Sequence, residues 1–496
     1  SKFVLAIDAV RDASGAIVCR DAAARAAGCA PLNLFGSGAP SKAALNYVGV
    51  TFKSDFTIEQ TVYEGNFGGD IIDLPAGPLG FNVGFEHRKE SSDFQPNEPQ
   101  RLGIGRSAAI TALSGEFDTT EYYGEALVPV LGGDWSFLGG RSLELEGAYR
   151  WIDNSQSGTD KAWSYGLRWK PVDDLMIRAS KSRSFRAPAI VELFLPSATS
   201  FMTATDPCDA RNLSSGPSPA TRQANCAAAF TALGLPANYQ LTSNVQVATV
   251  QGTTSGNKDL QNEIAEQWSA GFVYQPSFFK GLTVSFDWTN IDLSQAIFNF
   301  NLTSILQVCY DSPSAQAACG LFQRGNAASG AQAGQILTAD STKGIAGPRT
   351  GYVNAGYINF QGFTFGVNYE LDLADVFEQA PLLGGEPGKL EFGFDLYSVN
   401  KQNTSVTGLG FDLNRDKNEI GNADLQWKLQ TNYERGSLSV TWTMNHTGRS
   451  LFNNDFTIET RWPLSVDPYT IHDLAISYDF AEAFGDRLGV ESLKGR

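Results

Sequence analysis

The sequence predicts an all-β fold, a transmembrane antiparallel up-and-down β-barrel, and three observations carry that reading. Stretches of about 9–12 residues alternate strictly between apolar and polar, which is longer than the usual soluble strand and close to what a tilted membrane-crossing strand needs. The segments joining them alternate between short and long without a break in parity, as short periplasmic turns and long external loops do. The apolar faces carry almost no charge in mid-strand, and Trp or Tyr recurs towards their ends, as at Trp151, Trp163, Trp169, Tyr274, Trp288, Tyr433 and Tyr478. A sandwich core would favour Val, Ile and Leu between two sheets, so a giant soluble β-sandwich or β-helix is the weaker alternative.

About fourteen strands are expected in order. The first is Phe3 to Val10, and a ragged second runs over about 50–72 with Phe56, Ile58 and Val62 as its apolar set. Phe81, Val83 and Phe85 define the third, and Tyr122, Ala126 and Val128 the fourth, facing away from Glu121 and Glu125. Leu143, Leu145, Tyr149 and Trp151 alternate with Glu144, Glu146 and Arg150 in the next. A hairpin follows, in which Trp163, Tyr165, Leu167 and Trp169 share one face. It turns at Lys170–Asp174, where Pro171 and two aspartates favour a tight reversal, and returns through Leu175, Ile177 and Ala179. Trp268 to Tyr274 and Leu282 to Trp288 make a further pair. Phe363 to Leu371, Leu390 to Leu396, Leu425 to Tyr433 and Leu438 to Met444 continue the rhythm. Leu474, Ile476, Tyr478 and Phe480 close it.

The short connections are expected at about 73–79, 129–141, 171–174, 275–281, 373–388 and 434–437. The long ones fall at about 11–48, 91–114, 152–161, 185–262, 295–354, 401–422 and 449–467. The six cysteines form three local pairs, Cys19 with Cys29, Cys208 with Cys226 and Cys309 with Cys319, all in long connections. None is a C-x-x-C and the chain has only 3 His, so disulfides in an oxidising compartment are expected, not a zinc site.

Composition removes several function classes. The net charge of −16 and the absence of a basic stripe argue against nucleic acid. No apolar run reaches the roughly 20 residues of a transmembrane helix, and the first residues do not resemble a signal peptide. His87, His446 and His472 stand in strand-like surroundings and read as structural, so no enzyme activity and no cofactor are expected.

The residues Tyr165–Pro171, Leu175–Ser180, Ser184–Pro188 and Glu192–Phe194 resemble the barrel signature of TonB-dependent outer-membrane receptors. Gly256–Glu263 is similar to that family's "GNPxLxPE" segment, with Lys258 and Asn262 in place of its prolines. Tyr352–Ala355 with Gln361–Phe363, and Trp442–Gly448, resemble two of its later strands, and Pro31–Gly36 resembles a loop of the large sphingomonad-type receptors. Arg186, Pro188, Glu192, Asn257, Leu260 and Glu263 are the positions that match the motifs. Arg186 is expected to fix the exit from strand to loop by hydrogen bonds to carbonyls, with a ligand contact as the alternative.

The resemblance implies residence in the bacterial outer membrane, contact with its lipid, and part of a 22-stranded barrel. It implies uptake of a scarce small-molecule nutrient (a siderophore, carbohydrate or aromatic compound), driven by a TonB-type energy-coupling protein. A partner protein in the outer membrane is a further possibility for such a barrel. Residues 1–496 are expected to be the barrel portion, without the globular plug, the early strands and the final strands that the family carries. The external loops at about 11–48, 185–262 and 295–354 offer Phe194, Phe201, Tyr239, Phe298, Phe300 and Tyr310 for stacking on a ligand, and Asn453, Asn454 and Phe456 follow in a later loop. The acidic balance suits an anionic ligand poorly. A passive porin, a structural barrel of a cell-envelope assembly and a barrel enzyme are the alternative functions.

Overall fold

The computed structural model describes residues 1–479 except 105–107, 136–139, 217, 314–316, 378–385, 410, 411 and 455. One 15-stranded sheet organises these residues. In chain order its strands are β1 (Ser54–Leu74), β2 (Gly77–Pro96), β3 (Leu113–Leu131), β4 (Ser142–Asn154) and β5 (Gly158–Val172). Next come β6 (Leu175–Arg186), two short strands β7 (Ala198–Met202) and β8 (Val250–Ser255), then β9 (Glu263–Tyr274) and β10 (Leu282–Phe300). The last are β11 (Arg349–Asp372), β12 (Lys389–Ser405), β13 (Leu425–Arg435), β14 (Leu438–Thr447) and β15 (Tyr469–Tyr478). Apart from β7 and β8, each strand pairs antiparallel with its neighbours in the path from β1 to β15, so the topology is up-and-down. No helix among the described residues is long and apolar enough to cross a membrane.

Register fixes the faces. Phe81, Ala126, Gly147, Tyr165, Lys181, Trp268 and Asn290 lie in one row of paired positions across β2 to β10. Since the side-chain period is 2, the whole outer face follows from that row. Rings interlock along it: Phe272 lies 6.0 Å from Phe286, and Phe286 lies 5.5 Å from Phe363. The inner face is charged and polar. Arg178 forks onto Asp287, and Arg150 donates to Glu121 at 2.7 Å while lying over the Tyr123 ring.

Three expectations need correction. Phe3–Val10 is not a strand of the sheet: Lys2–Ile7 is a helix capped by the Ser1 hydroxyl, and only Ala9–Arg11 is extended, paired with Ile17–Cys19. The helix buries Ala6 against Leu32, Ala44 and Tyr47, a core that six residues could not show in their own pattern. The apolar set of the ragged second strand is inverted. Phe56, Ile58 and Val62 pair with Phe94, Ser92 and Arg88 of the inner face, whereas Tyr63 and Phe67 pair with His87 and Val83 of the outer one. Finally, 152–161 is no long loop. Asn154 Oδ1 accepts the N–H groups of Gln156 (2.9 Å) and Ser157 (3.0 Å), closing a tight reversal between β4 and β5. The other connections expected to be long still fall at that end of the sheet, although 373–388 at the opposite end matches 97–112 in length. Phe480 and the terminal residues 489–496 lie outside the described residues.

Strand length is the other surprise. β10 has 19 residues and β11 has 24, where about 9–12 were expected. At about 3.3 Å per residue β11 spans roughly 80 Å, far more than an apolar band of about 25 Å requires even at a steep tilt. Its first half therefore stands above the wall and carries the external loops.

Candidate functional site: the loop cap and its anchor

The long connection between β6 and β9 and the one between β10 and β11 fold together into one cap. Helices α2 (Pro219–Ala232) and α3 (Leu302–Asp311) supply Phe230, Leu302, Ile305 and Leu306 to its centre. Leu241 and Val245 join them, and Phe300 at the top of β10 forms the floor. β8 pairs parallel with the upper end of β11 and antiparallel with β7, so main-chain hydrogen bonds fasten the cap to the wall.

Two disulfides staple it. Cys208 and Cys226 are bridged with their Cα atoms 5.5 Å apart, and Cys309 and Cys319 with theirs 5.0 Å apart. The third bridge, Cys19 to Cys29, holds the separate unit ahead of β1.

Two ion pairs lie inside the cap. Arg222 forks onto Asp311 with both contacts at 2.6 Å, and Arg324 forks onto Asp206 at 2.7 and 2.9 Å. The four side chains are 6% exposed or less, so each charge depends on its partner. Burial works against the Asp206 carboxylate, but Arg324 and the Ser243 hydroxyl outweigh it and hold the group below the ordinary carboxylate range. Arg324 also donates to the Tyr310 hydroxyl at 2.8 Å. Burial raises the Tyr310 pKa despite that nearby cation.

The six motif residues meet where the cap joins the wall. Arg186 ends β6 and donates to both oxygens of Glu192 at 3.0 and 3.1 Å, and to Glu263. Its partners are thus carboxylates, not the carbonyls expected. Glu192 lies in helix α1 (Ile190–Phe194) and accepts the Ala189 N–H at 2.7 Å, closing the helix start that buried Pro188 leads into. Glu263 opens β9, and its other oxygen accepts the Ile297 N–H of β10 at 2.7 Å. Asn257 donates from its amide side chain to Tyr352 O and from its backbone to Glu192 O, both at 2.9 Å. Leu260 is buried among Phe117, Ile190, Leu193, Phe194 and Ile297. Both ends of the loop are therefore tied to one arginine.

Sequence reasoning did not single out Asn354 as a site residue. It exchanges hydrogen bonds with the backbone of Gln261, both at 2.7 Å, and donates to Gln295 O at 2.9 Å. Gln295 has φ +54° at a register shift in β10, so Asn354 satisfies a carbonyl that the bulge takes out of the ladder. The two residues that replace the family's prolines have other work: Lys258 lies over the Phe194 ring and Asn262 donates to Asp160.

The loop aromatics divide. Phe194, Phe300 and Tyr310 are buried in the two clusters, and Tyr239 packs edge-on against Phe230. Phe298 packs over Gly356, whose missing Cβ leaves room for its ring. Phe201 and Phe456 remain exposed, while Asn454 is drawn into hydrogen bonds with Lys417 O and Glu419. The histidines stand on the outer face, and His87 is four strands away from Arg186. His87 and His446 meet Thr120 and Thr470, and His472 stacks on Trp442.

The family described as "TonB dependent receptor-like, beta-barrel" matches residues 30–493. Among solved structures, a mutant of the ferric enterobactin receptor PfeA from Pseudomonas aeruginosa is 12% identical with a TM-score of 0.51, covering 85% of this chain and 46% of that one. The siderophore receptor PirA from Acinetobacter baumannii is 14% identical with a TM-score of 0.49, covering 86% and 49%. No curated protein sequence matches the chain. The chain spans about half the length of these solved structures, and the likeness to PfeA is one of fold. With a sheet of this topology, an outer face made for lipid and a match over nearly its full length, the chain belongs to the TonB-dependent receptor-like β-barrel family of the outer membrane.

Proposed function

We propose that this chain supplies the wall and external loops of a transporter that takes up a scarce nutrient with energy supplied by a TonB-type protein acting on a plug domain in the lumen. The observation that carries this reading is the cap. A pore for passive diffusion needs little more than a wall, whereas here two external loops each carry an internal disulfide, are ion-paired to each other, and one of them is tied to the wall through Arg186. Such a rigid, shaped surface suits selective capture of a ligand. Exposed Phe201, Phe456 and Trp462 are among the contacts the external loops offer, and Phe360 stacked on Tyr397 offers a second aromatic surface on the inner face. These favour a ligand with rings or sugar faces: a siderophore, a carbohydrate or an aromatic compound. Iron chelates are the first to try, because PfeA is named for ferric enterobactin.

The test is accumulation of labelled ligand by cells making the full-length receptor, with and without a protonophore. Uptake that stops with the protonophore is expected. Liposome swelling by neutral sugars at a rate set only by their size would instead establish a passive porin.

A further inference from the structure

We propose that Lys181, on the outer face of β6, is the headgroup seat for an anionic membrane lipid. Lys181 stands on the outward-facing line of β6 between Ile177 and Ala179 on one side and Arg183 on the other, at the edge of the apolar face. Its cross-strand partners are Tyr165 on β5 and Trp268 on β9. The ammonium lies 4.7 Å from the Trp268 ring centroid and 5.8 Å from that of Trp163, and Trp163 stacks on Tyr165 at 5.5 Å. Trp268 and Tyr165 are about half exposed, so the aromatic frame opens outward and does not close over the charge.

The charge balance points to a ligand. Among the described residues no carboxylate forms an ion pair with Lys181, whereas Lys89, also on the outer face, meets Glu116 at 2.9 Å. A lysine facing lipid is costly, and ring faces repay only part of the hydration it loses. The nearest carboxylate on this face, Glu266 opposite Arg183, makes no ion pair with Lys181 among the described residues, which leaves the ammonium open to the phosphate or carboxylate of a lipid headgroup.

The neighbouring wall has room for the chain of such a lipid. In the row of Lys181 the outer face narrows to Ala126 and Gly147, with Gly124 two pairs above on the same face. Val83, Tyr149 and Tyr165 flank this shallow apolar depression. A Cβ added at Gly147 would meet nothing within 4 Å. The headgroup would sit at Lys181 and one acyl chain along Gly147 and Ala126.

The experiment is native mass spectrometry of the full-length receptor, stripped of lipid in detergent and titrated with phosphatidylglycerol, phosphatidylcholine or inorganic phosphate. Phosphatidylglycerol should be retained at least about tenfold better than phosphatidylcholine, and phosphate alone should not bind or compete. Lys181→Gln should remove that preference, Gly147→Leu should weaken retention of the lipid, and Lys89→Gln should leave both unchanged. Each variant is first shown to keep the heat-modifiable gel mobility of a folded barrel. Equal retention of the two lipids by the wild type, an unchanged preference in Lys181→Gln, or full competition by phosphate would overturn the proposal.

Discussion

The cap and the wall solve the burial problem in opposite solvents. In the cap, Phe230, Leu241, Ile305 and Leu306 are sealed from water, as in any soluble core, and charge enters only as matched pairs. In the wall, Trp268, Tyr165, Leu474 and Ile476 are all exposed on the outer face, because lipid takes the place of a second layer. The cap thus depends on contacts between residues distant in sequence, while the wall depends on ladders between neighbours. A substitution of one chemical kind should therefore have different consequences in the two regions.

The largest effect is expected from Arg324→Met, which leaves Asp206 buried without its cation. About 3–5 kcal/mol of cap stability should be lost, as for a broken buried pair. Limited proteolysis of whole cells should cut within 187–262, while the folded barrel keeps its gel mobility. If wall and cap fall apart together, the two regions are one cooperative unit and the comparison fails.

Removing the bridge by Cys208→Ser with Cys226→Ser opens a loop with a sequence separation of 18 residues. A cost of about 3 kcal/mol is expected from the larger freedom of the unfolded cap. The same protease assay should show it, again without loss of the barrel. In the wall, Phe286→Arg places a cation in lipid and should cost about 2 kcal/mol, between the midplane and interface values. Its neighbour Ser285→Arg, on the inner face, should cost little. Urea unfolding in vesicles would separate the two, and equal costs would contradict the assignment of faces.

The smallest effects belong to the anchor and to pH. Glu263→Gln weakens one contact of a partly exposed arginine and should cost about 1 kcal/mol. Its sign should appear as faster proteolysis of the loop at unchanged barrel stability. For Asp206 the folded pKa lies below the unfolded one. Its contribution is therefore complete above the ordinary carboxylate range and is lost as pH falls through the lower folded value. Loop protection measured from pH 7 downward should hold to about pH 4 and decline only below it, and a decline nearer pH 6 would exclude this pair as the cause.

Much of the candidate site was legible, but not its wiring. Arg186, Glu192, Asn257 and Glu263 stood out as motif positions, yet nothing local says that one guanidinium meets both carboxylates. Glu263 lies 77 residues from Arg186, and only the pairing of β6 with β9 places them opposite each other. Asn354 was visible only as part of a strand motif, because its role depends on a bulge in another strand. The buried pairs left no mark at all. Arg222 and Asp311 are 89 residues apart, Arg324 and Asp206 118, and in sequence each reads as an ordinary loop charge.

The sequence by itself determined the class of fold, the order of nearly all the wall strands and the alternation of loop lengths. These follow from a period of 2, from turn residues and from the cost of charge in lipid, all of which act within a dozen residues. Only the tertiary structure decided that two external loops share one core, that Lys2–Ile7 is a helix and that Phe56, Ile58 and Val62 face inward. Those outcomes depend on which distant segment lies opposite, and a helix of six residues or a strand mixed on both faces holds too weak a local signal to choose alone.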